Sequence, residues 1–141
     1  MGIVAKLFIV LHKTVYRLSR GRVMGRVQGM PVLLLITTGR TTGKRRTAPL
    51  LYLQEAGVYY VVGSMGGAPT HPAWYRNLTH DPAVTVKVKG RVFTANAEQV
   101  ETAERERLWK RFVAGYSGYA SYTQKTERVF PIIALAPTSG S

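Results

Sequence analysis

The sequence predicts an α+β domain: a mostly antiparallel sheet of about six strands curled into a small barrel, with helices inserted late. Three observations carry this expectation. Short apolar runs recur between turns marked by glycine, proline or aspartate. Val84, Val86 and Val88 alternate with Thr85, Lys87 and Lys89, as in a strand with one buried face. The clearest helical spacing in the body, Glu101 to Ala114, comes after most of those runs.

In chain order, Ile3 to Ser19 reads as an amphipathic helix. Val4, Leu7, Phe8, Leu11, Val15 and Leu18 recur at helical spacing, and Lys6, Lys13, Arg17 and Arg20 supply charge. Such a helix can pack on the domain or lie on a membrane surface. Gly21 to Gly29 is a linker, so residues 1–29 form one unit, residues 30–137 the barrel domain and residues 138–141 a disordered tail. Strands are expected at Val32–Thr38, Thr47–Gln54 and Val58–Gly63, the last two joined by the turn Glu55-Ala56-Gly57. Ser64 to Thr70 is a glycine-rich loop. Pro72 suits the first turn of a short helix reaching about Thr79, which Asp81-Pro82 stops. The alternating valine strand follows, and Gly90-Arg91 turns into Val92–Ala97. Leu108, Trp109, Phe112 and Val113 give the Glu101–Ala114 helix its apolar stripe, and Glu106 can pair with Lys110. Tyr116 to Glu127 is read as further helix, and Val129 to Leu135 as the closing strand.

A chain of 141 residues is long enough for one domain with a real core. With no cysteine, disulfide and thiolate chemistry are excluded, and His12, His71 and His80 make no ligand cluster, so no metal is expected. Lysine and arginine number 20 against 7 acids, and every acid lies at or after Glu55. Such a field favours anionic partners: nucleic acid, an acidic membrane face or a polyanionic small molecule. No apolar run approaches the ~18 residues that span a bilayer. No cleavage site follows the N-terminal apolar stretch either, which makes a cytoplasmic protein the default.

The most informative segment is Thr37-Thr38-Gly39-Arg40-Thr41-Thr42-Gly43-Lys44-Arg45-Arg46-Thr47-Ala48-Pro49-Leu50. Its glycines turn backbone N–H groups outward at little steric cost, and its cations can grip phosphate or carboxylates. A solvated basic hairpin is the alternative. Alternation along the strand turns Arg45 away from Arg40 and Arg46. No paired carboxylates, nucleophile elbow, P-loop or dinucleotide fingerprint is present. Hard chemistry would therefore need a cofactor, the protein supplying position and electrostatics.

With Ser64-Met65-Gly66-Gly67-Ala68, His71-Pro72-Ala73-Trp74-Tyr75-Arg76-Asn77-Leu78 and the tyrosine-rich C-terminal segment, this loop resembles the deazaflavin (coenzyme F420)-dependent nitroreductase and quinone reductase family. The resemblance runs from about Pro31 to Pro137 and implies a split β-barrel of the FMN-binding type with flanking helices. It implies an F420H2-dependent reductase passing a hydride from the deazaflavin to quinones, activated enones or nitroaromatics. By the same resemblance Arg40, Thr41, Thr42, Lys44 and Arg46 take the cofactor's anionic tail. Ala48, Pro49 and Leu50, then Ser64, Met65, Gly67 and Ala68, lie along the deazaflavin, with Trp74 and Asn77 close to it. Many relatives carry lysine where Met65 stands.

Tyr116, Tyr119 and Tyr122 would line the substrate side together with Trp74. Tyr122 is the expected donor to developing charge on the acceptor, with Ser64 in reserve. Core packing is the alternative for Trp74 and for the tyrosines. His71 is either structural or, if it reaches the pocket, a proton donor. Rival readings are an FMN-dependent reductase of the same fold, a lipid-binding split barrel and a basic module for polyanions such as nucleic acid. The N-terminal helix is expected to make weak contact with the inner face of the plasma membrane.

Overall fold

The computed structural model describes residues 26–27 and 30–138. The expected helix at Ile3–Ser19, most of the linker and residues 139–141 lie outside them. In chain order the elements are β1 (Arg26–Val27), β2 (Met30–Thr38), β3 (Arg45–Leu51), β4 (Leu53–Glu55), β5 (Val58–Val62), a 3-10 turn (Met65–Gly67), α1 (Ala73–His80), β6 (Ala83–Val88), β7 (Arg91–Gln99), α2 (Thr102–Gly115), α3 (Gly118–Tyr122) and β8 (Ile132–Pro137).

All the pairings are antiparallel. The sheet runs β1-β2-β6-β7-β8-β5-β4, with β3 also against β2. The expected single strand Thr47–Gln54 is broken at Tyr52. Its first part, β3, pairs with β2, and its second part, β4, pairs with β5. One bent stretch of chain thus joins the two ends of the strand order and curls the sheet into a split barrel. At the bend Tyr52 N–H donates to Pro31 O at 3.1 Å, and the Tyr52 ring meets Tyr59 edge-on at 5.4 Å.

Period-two alternation sorts side chains between two cores. Leu33, Leu35, Tyr59, Val61, Val84, Val86, Val88, Phe93, Ala95, Ile133 and Leu135 fill the barrel, and Trp74 and Leu78 of α1 join them. On the outside, α2 and α3 bring Leu108, Phe112 and Tyr119 against Met30, Val62, Phe130 and Ile132, with Trp109 packed at the margin. At about 25 cal/mol per Å² of apolar surface, these two clusters are the main source of stability.

Two tight hairpins need left-handed backbone at both central residues: Ala56 (φ 49°) with Gly57 (φ 81°), and Lys89 (φ 50°) with Gly90 (φ 77°). This is the mirror-image turn whose twist matches the flanking strands.

Further expectations are corrected. The segment after α2 is not one helix: Tyr116 caps α2, and α3 spans only Gly118 to Tyr122. A Cβ on Gly118 would stand 2.5 Å from the Tyr116 ring, so the ring occupies the space that a longer helix with a side chain there would need. The closing strand is Ile132–Pro137; ahead of it Pro131 O accepts from Gly63 N–H at 2.8 Å, and the proline itself has no N–H to extend the ladder. Glu106 lies 3.7 Å from Arg105, and no Glu106–Lys110 pair forms. At the other end of β8, Thr138 bonds Thr94 through both backbone and hydroxyl, so the first residue of the expected tail is tied to the sheet.

A charged cluster fastens α2 to the β4–β5 turn. Arg107 donates to both Glu55 oxygens at 2.7 and 2.9 Å and to Glu104, and Arg111 also pairs with Glu55. The hydrogen bond from Arg107 holds the Glu55 carboxyl down to about 2, with help from Arg111 and against the opposing effect of burial. A depressed carboxylate contributes stability above its unfolded pKa and loses it as pH falls through the folded one. Between pH ~4.5 and ~2 the wild-type melting temperature should therefore fall more steeply than that of Glu55→Gln, as read by circular dichroism. Parallel curves would detach this cluster from acid stability.

Candidate functional site

The cationic hairpin is built by the β2–β3 register, which pairs Thr37 with Arg46 and Thr38 with Arg45. Gly39 N–H donates to Lys44 O at 2.7 Å, and Gly43 N–H to Gly39 O at 2.8 Å. A Cβ on Gly39 would sit 2.9 Å from Thr42 Oγ1, so the turn closes this tightly only around glycine. Thr41 lies exposed at the tip of the hairpin, and Thr42 Oγ1 accepts from Lys44 N–H. Arg45 turns to the outer face of the sheet, where its guanidinium donates to Thr85 Oγ1 at 3.1 Å. Arg46 shares the opposite face with Ala48 and Leu50, which pack against the barrel core. Among the described residues, none of the four ion pairs involves Arg40, Lys44, Arg45 or Arg46. Their charge is uncompensated by carboxylate.

Arg40 is held by Asn77, which is 3 % exposed on the inner face of α1. Asn77 Oδ1 accepts from Arg40 N–H at 3.2 Å and from Arg40 Nη1 at 3.1 Å, while Nδ2 donates to the buried Thr37 Oγ1 at 3.1 Å. One amide thereby locks the helix, the strand end and the first cation of the hairpin together. Trp74, one turn earlier, is 8 % exposed and packs into the barrel core below this joint. Beside them Ala48, Pro49 and Leu50 are half-buried on β3, which pairs with β2 alone among the described strands. The other edge of β3 has no strand partner among the described residues.

A second wall is the turn after β5. Ser64 is buried, Met65 adopts a left-handed backbone (φ 47°), and Gly66 and Gly67 follow at φ 63° and 82°. Gly67 N–H donates to Ser64 O and Ala68 N–H to Met65 O. The turn rests on α3: a Cβ on Gly67 would lie 2.8 Å from Tyr122 O and 3.1 Å from the Lys125 side chain. Lys125 in turn sets its ammonium 5.4 Å from the centre of the Tyr122 ring.

The three tyrosines form a mutual edge-to-face cluster with centroids 5.2–6.2 Å apart. They are not equivalent. Tyr119 is 5 % exposed and packs on Phe112 and Trp109. Tyr116 and Tyr122 are half-buried, and their hydroxyls share a hydrogen bond of 3.1 Å. Burial, then the hydrogen bond and charge of Tyr116, pushes the Tyr122 phenol up to about 12, which keeps it a protonated donor at neutral pH. Burial also pushes Tyr119 up.

Sequence reasoning missed Arg128. It lies between α3 and β8 yet reaches the carbonyls of Gly63, Ser64 and Ala68 and the ring of His71. Nothing local to Arg128 in the sequence signals a contact that spans some sixty residues. His71 stacks on Tyr75 with ring centres 4.6 Å apart. A shallow cleft of about 550 Å³ at the start of α2, bordered by Val100, Glu101, Arg105 and Val129, contains none of the expected site residues.

Comparisons with known proteins bear on the family of the chain. The family model described as F420H(2)-dependent quinone reductase matches residues 9–137. An F420H(2)-dependent quinone reductase of Mycobacterium tuberculosis is 36 % identical over 129 residues, covering 89 % of this chain and 87 % of its own. The solved structure of an F420-H2 dependent reductase superposes with a TM-score of 0.68 at 40 % identity, over 74 % of this chain and 93 % of that one. A second solved chain, described as a domain-swapped dimer, gives 0.70 at 38 % identity over 89 % and 96 %.

The Asn77 joint makes a stability prediction. Asn77→Ala leaves the buried Thr37 hydroxyl without its donor, a loss worth about 1–3 kcal/mol, while the exposed Arg40 can turn its freed donors to water. Urea denaturation should show Asn77→Ala well below wild type and Arg40→Ala close to it. Equal losses would mean that the amide is not the anchor.

Proposed function

From the chain's membership of the F420H(2)-dependent quinone reductase family, to which it belongs by a match across residues 9–137, we infer an oxidoreductase that uses reduced coenzyme F420. The observation that carries this reading is the identity of 36 % over most of the chain with a named F420H(2)-dependent quinone reductase. The donor set fits the cofactor. A polyanionic tail needs cations free of carboxylate, and Arg40, Lys44 and Arg46 are such cations on a turn rich in N–H groups. Half-buried apolar residues beside the hairpin, Ala48, Pro49 and Leu50, suit a planar ring, on a strand with no second strand partner among the described residues.

When bound, the reduced deazaflavin supplies the hydride. The chain's own residues do the rest. Arg40, Lys44 and Arg46, with the hydroxyls of Thr41 and Thr42, grip the tail. Ser64, Met65, Gly67 and Ala68 border the ring from the second wall, where Lys125 also brings a cation close to the turn. Tyr122, protonated at neutral pH and hydrogen-bonded to Tyr116, is the proposed donor to the oxygen of an acceptor as negative charge develops there. Tyr119, sealed in the outer core, supports the other two rings instead of meeting solvent. Trp74 acts from beneath as the floor under Asn77. Quinones, activated enones and nitroaromatics are the proposed acceptors, all planar electrophiles that gain charge on oxygen.

Fluorescence titration with oxidised coenzyme F420 and with FMN tests the cofactor. Binding of FMN alone would overturn the reading. Arg40→Ala with Arg46→Ala should raise the cofactor Kd while leaving kcat at saturation close to wild type, because such contacts act equally in ground and transition states. Each charge-assisted hydrogen bond is worth about 1.5–3 kcal/mol. Tyr122→Phe should lower kcat with little change in that Kd, and no loss of activity at a donor pKa of about 12 is expected below pH ~10.

Among the described residues no helix is long and apolar enough to cross a membrane. Peripheral contact through Ile3 to Ser19 is proposed on the sequence alone. Replacing Lys6, Lys13, Arg17 and Arg20 with glutamine should abolish co-sedimentation with anionic vesicles. Retention by the substituted protein would remove the proposal.

A further inference from the structure

Arg128 uses four of the five N–H donors that a guanidinium carries. Nε donates to Ala68 O at 3.0 Å, Nη2 to Ser64 O at 2.8 Å, and Nη1 to both Gly63 O and His71 Nδ1 at 2.8 Å. The guanidinium carbon also lies 4.8 Å from the centre of the Phe130 ring, which fixes its plane against the outer core. No other side chain among the described residues gathers three backbone carbonyls of one turn.

Covalent geometry has two consequences here. A trans peptide points its N–H opposite to its C=O. Since the carbonyls of Gly63 and Ser64 face the guanidinium, the N–H groups of Ser64 and Met65 face away from it. Second, arginine can only donate, so His71 Nδ1 must accept. A neutral His71 ring then carries its proton on Nε2. Burial first, then the charges of Arg128 and Arg76, lowers the His71 pKa and keeps the ring neutral, and Tyr75 stacked on its face adds no charge.

We infer that Arg128 is a positioning residue: it sets the peptide orientation of residues 63–68, fixes the His71 tautomer, and holds this wall at its distance from Tyr122. The inference rests on reading the 63–68 turn as a cofactor-facing wall. Gly67 already touches the Tyr122 backbone, so any rotation of the turn changes the gap between it and the tyrosines. Lysine cannot replace the fork, because one ammonium with three donors is a point charge that cannot span three carbonyls and an imidazole.

The test uses the full chain in two arms. In the unliganded protein, nitrogen-15 NMR should find His71 protonated on Nε2 at neutral pH. In Arg128→Lys, the hydrogen-bonded amides of Gly63, Gly67 and Ala68 should lose their exchange protection while those of β6 and β7 keep it. In the second arm, Arg128→Lys should bind oxidised coenzyme F420 about 10- to 100-fold more weakly than wild type, the range typical of lost supporting contacts. Unchanged protection of the three amides, or a wild-type His71 with its proton on Nδ1, overturns the inference. Wild-type protein that fails to bind F420 removes the proposed cofactor instead and leaves the first arm to decide. Should Arg128→Lys not fold, the wild-type tautomer still decides.

Discussion

The bend at Tyr52 is the constraint on which the rest of this molecule depends. A straight Thr47–Glu55 strand would pair with β2 or with β5 but could not reach both. By turning at a buried tyrosine, the chain pairs with β2 on one side of the bend and with β5 on the other, and so curls the sheet. Tyr52 leans on Tyr59, which leans on Phe93 at 5.4 Å, so three aromatic rings brace the bend from inside the barrel. The same bend lies between the two groups of expected site residues. β3 runs from the cationic hairpin to it, and β5 leads away toward the Ser64–Ala68 turn.

Charge is distributed unevenly over this frame. Glu55, Glu104 and Glu106 are spent on Arg105, Arg107 and Arg111 around α2. The hairpin cations have neutral partners instead: an amide for Arg40 and a threonine hydroxyl for Arg45. A neutral partner fixes direction without cancelling the field. Arg128 obeys the same rule, bonded to carbonyls and an imidazole, and never to a carboxylate among the described residues. The site is organised by dipoles and left positive, which suits a ligand that brings its own negative charge.

Much of this was legible in the sequence, for physical reasons. Alternation of Val84, Val86 and Val88 can only mean a strand with one buried face, and Ala56-Gly57 supplies the backbone freedom that a mirror-image turn requires. The cationic hairpin was readable because its turn closes through local contacts. What escaped detection was non-local. Nothing in Leu50-Leu51-Tyr52-Leu53 announces a change of pairing partner, since every residue there favours a strand. Tyr116, Tyr119 and Tyr122 have helical spacing, yet the Tyr116 ring fills the space beside Gly118 and the backbone kinks around it. For Trp74 and Tyr119 the sequence leaves core packing and a ligand-facing role side by side, and their burial against distant elements is known only from the fold. Arg128 meets Phe130 nearby in the chain, but the carbonyls and imidazole that fix its fork lie some sixty residues away.

The chain contains two tryptophans, and they report on different halves of it. Trp74 is enclosed by the barrel, whereas Trp109 stands at the edge of the outer core, 6.0 Å from both Tyr119 and Phe130 and near the Arg105 guanidinium. Their emission should therefore differ in colour and in quenching, the enclosed indole bluer and less accessible to iodide. Replacing either one with phenylalanine leaves a single chromophore. The order in which the inner and outer layers come apart can then be watched optically, without a label.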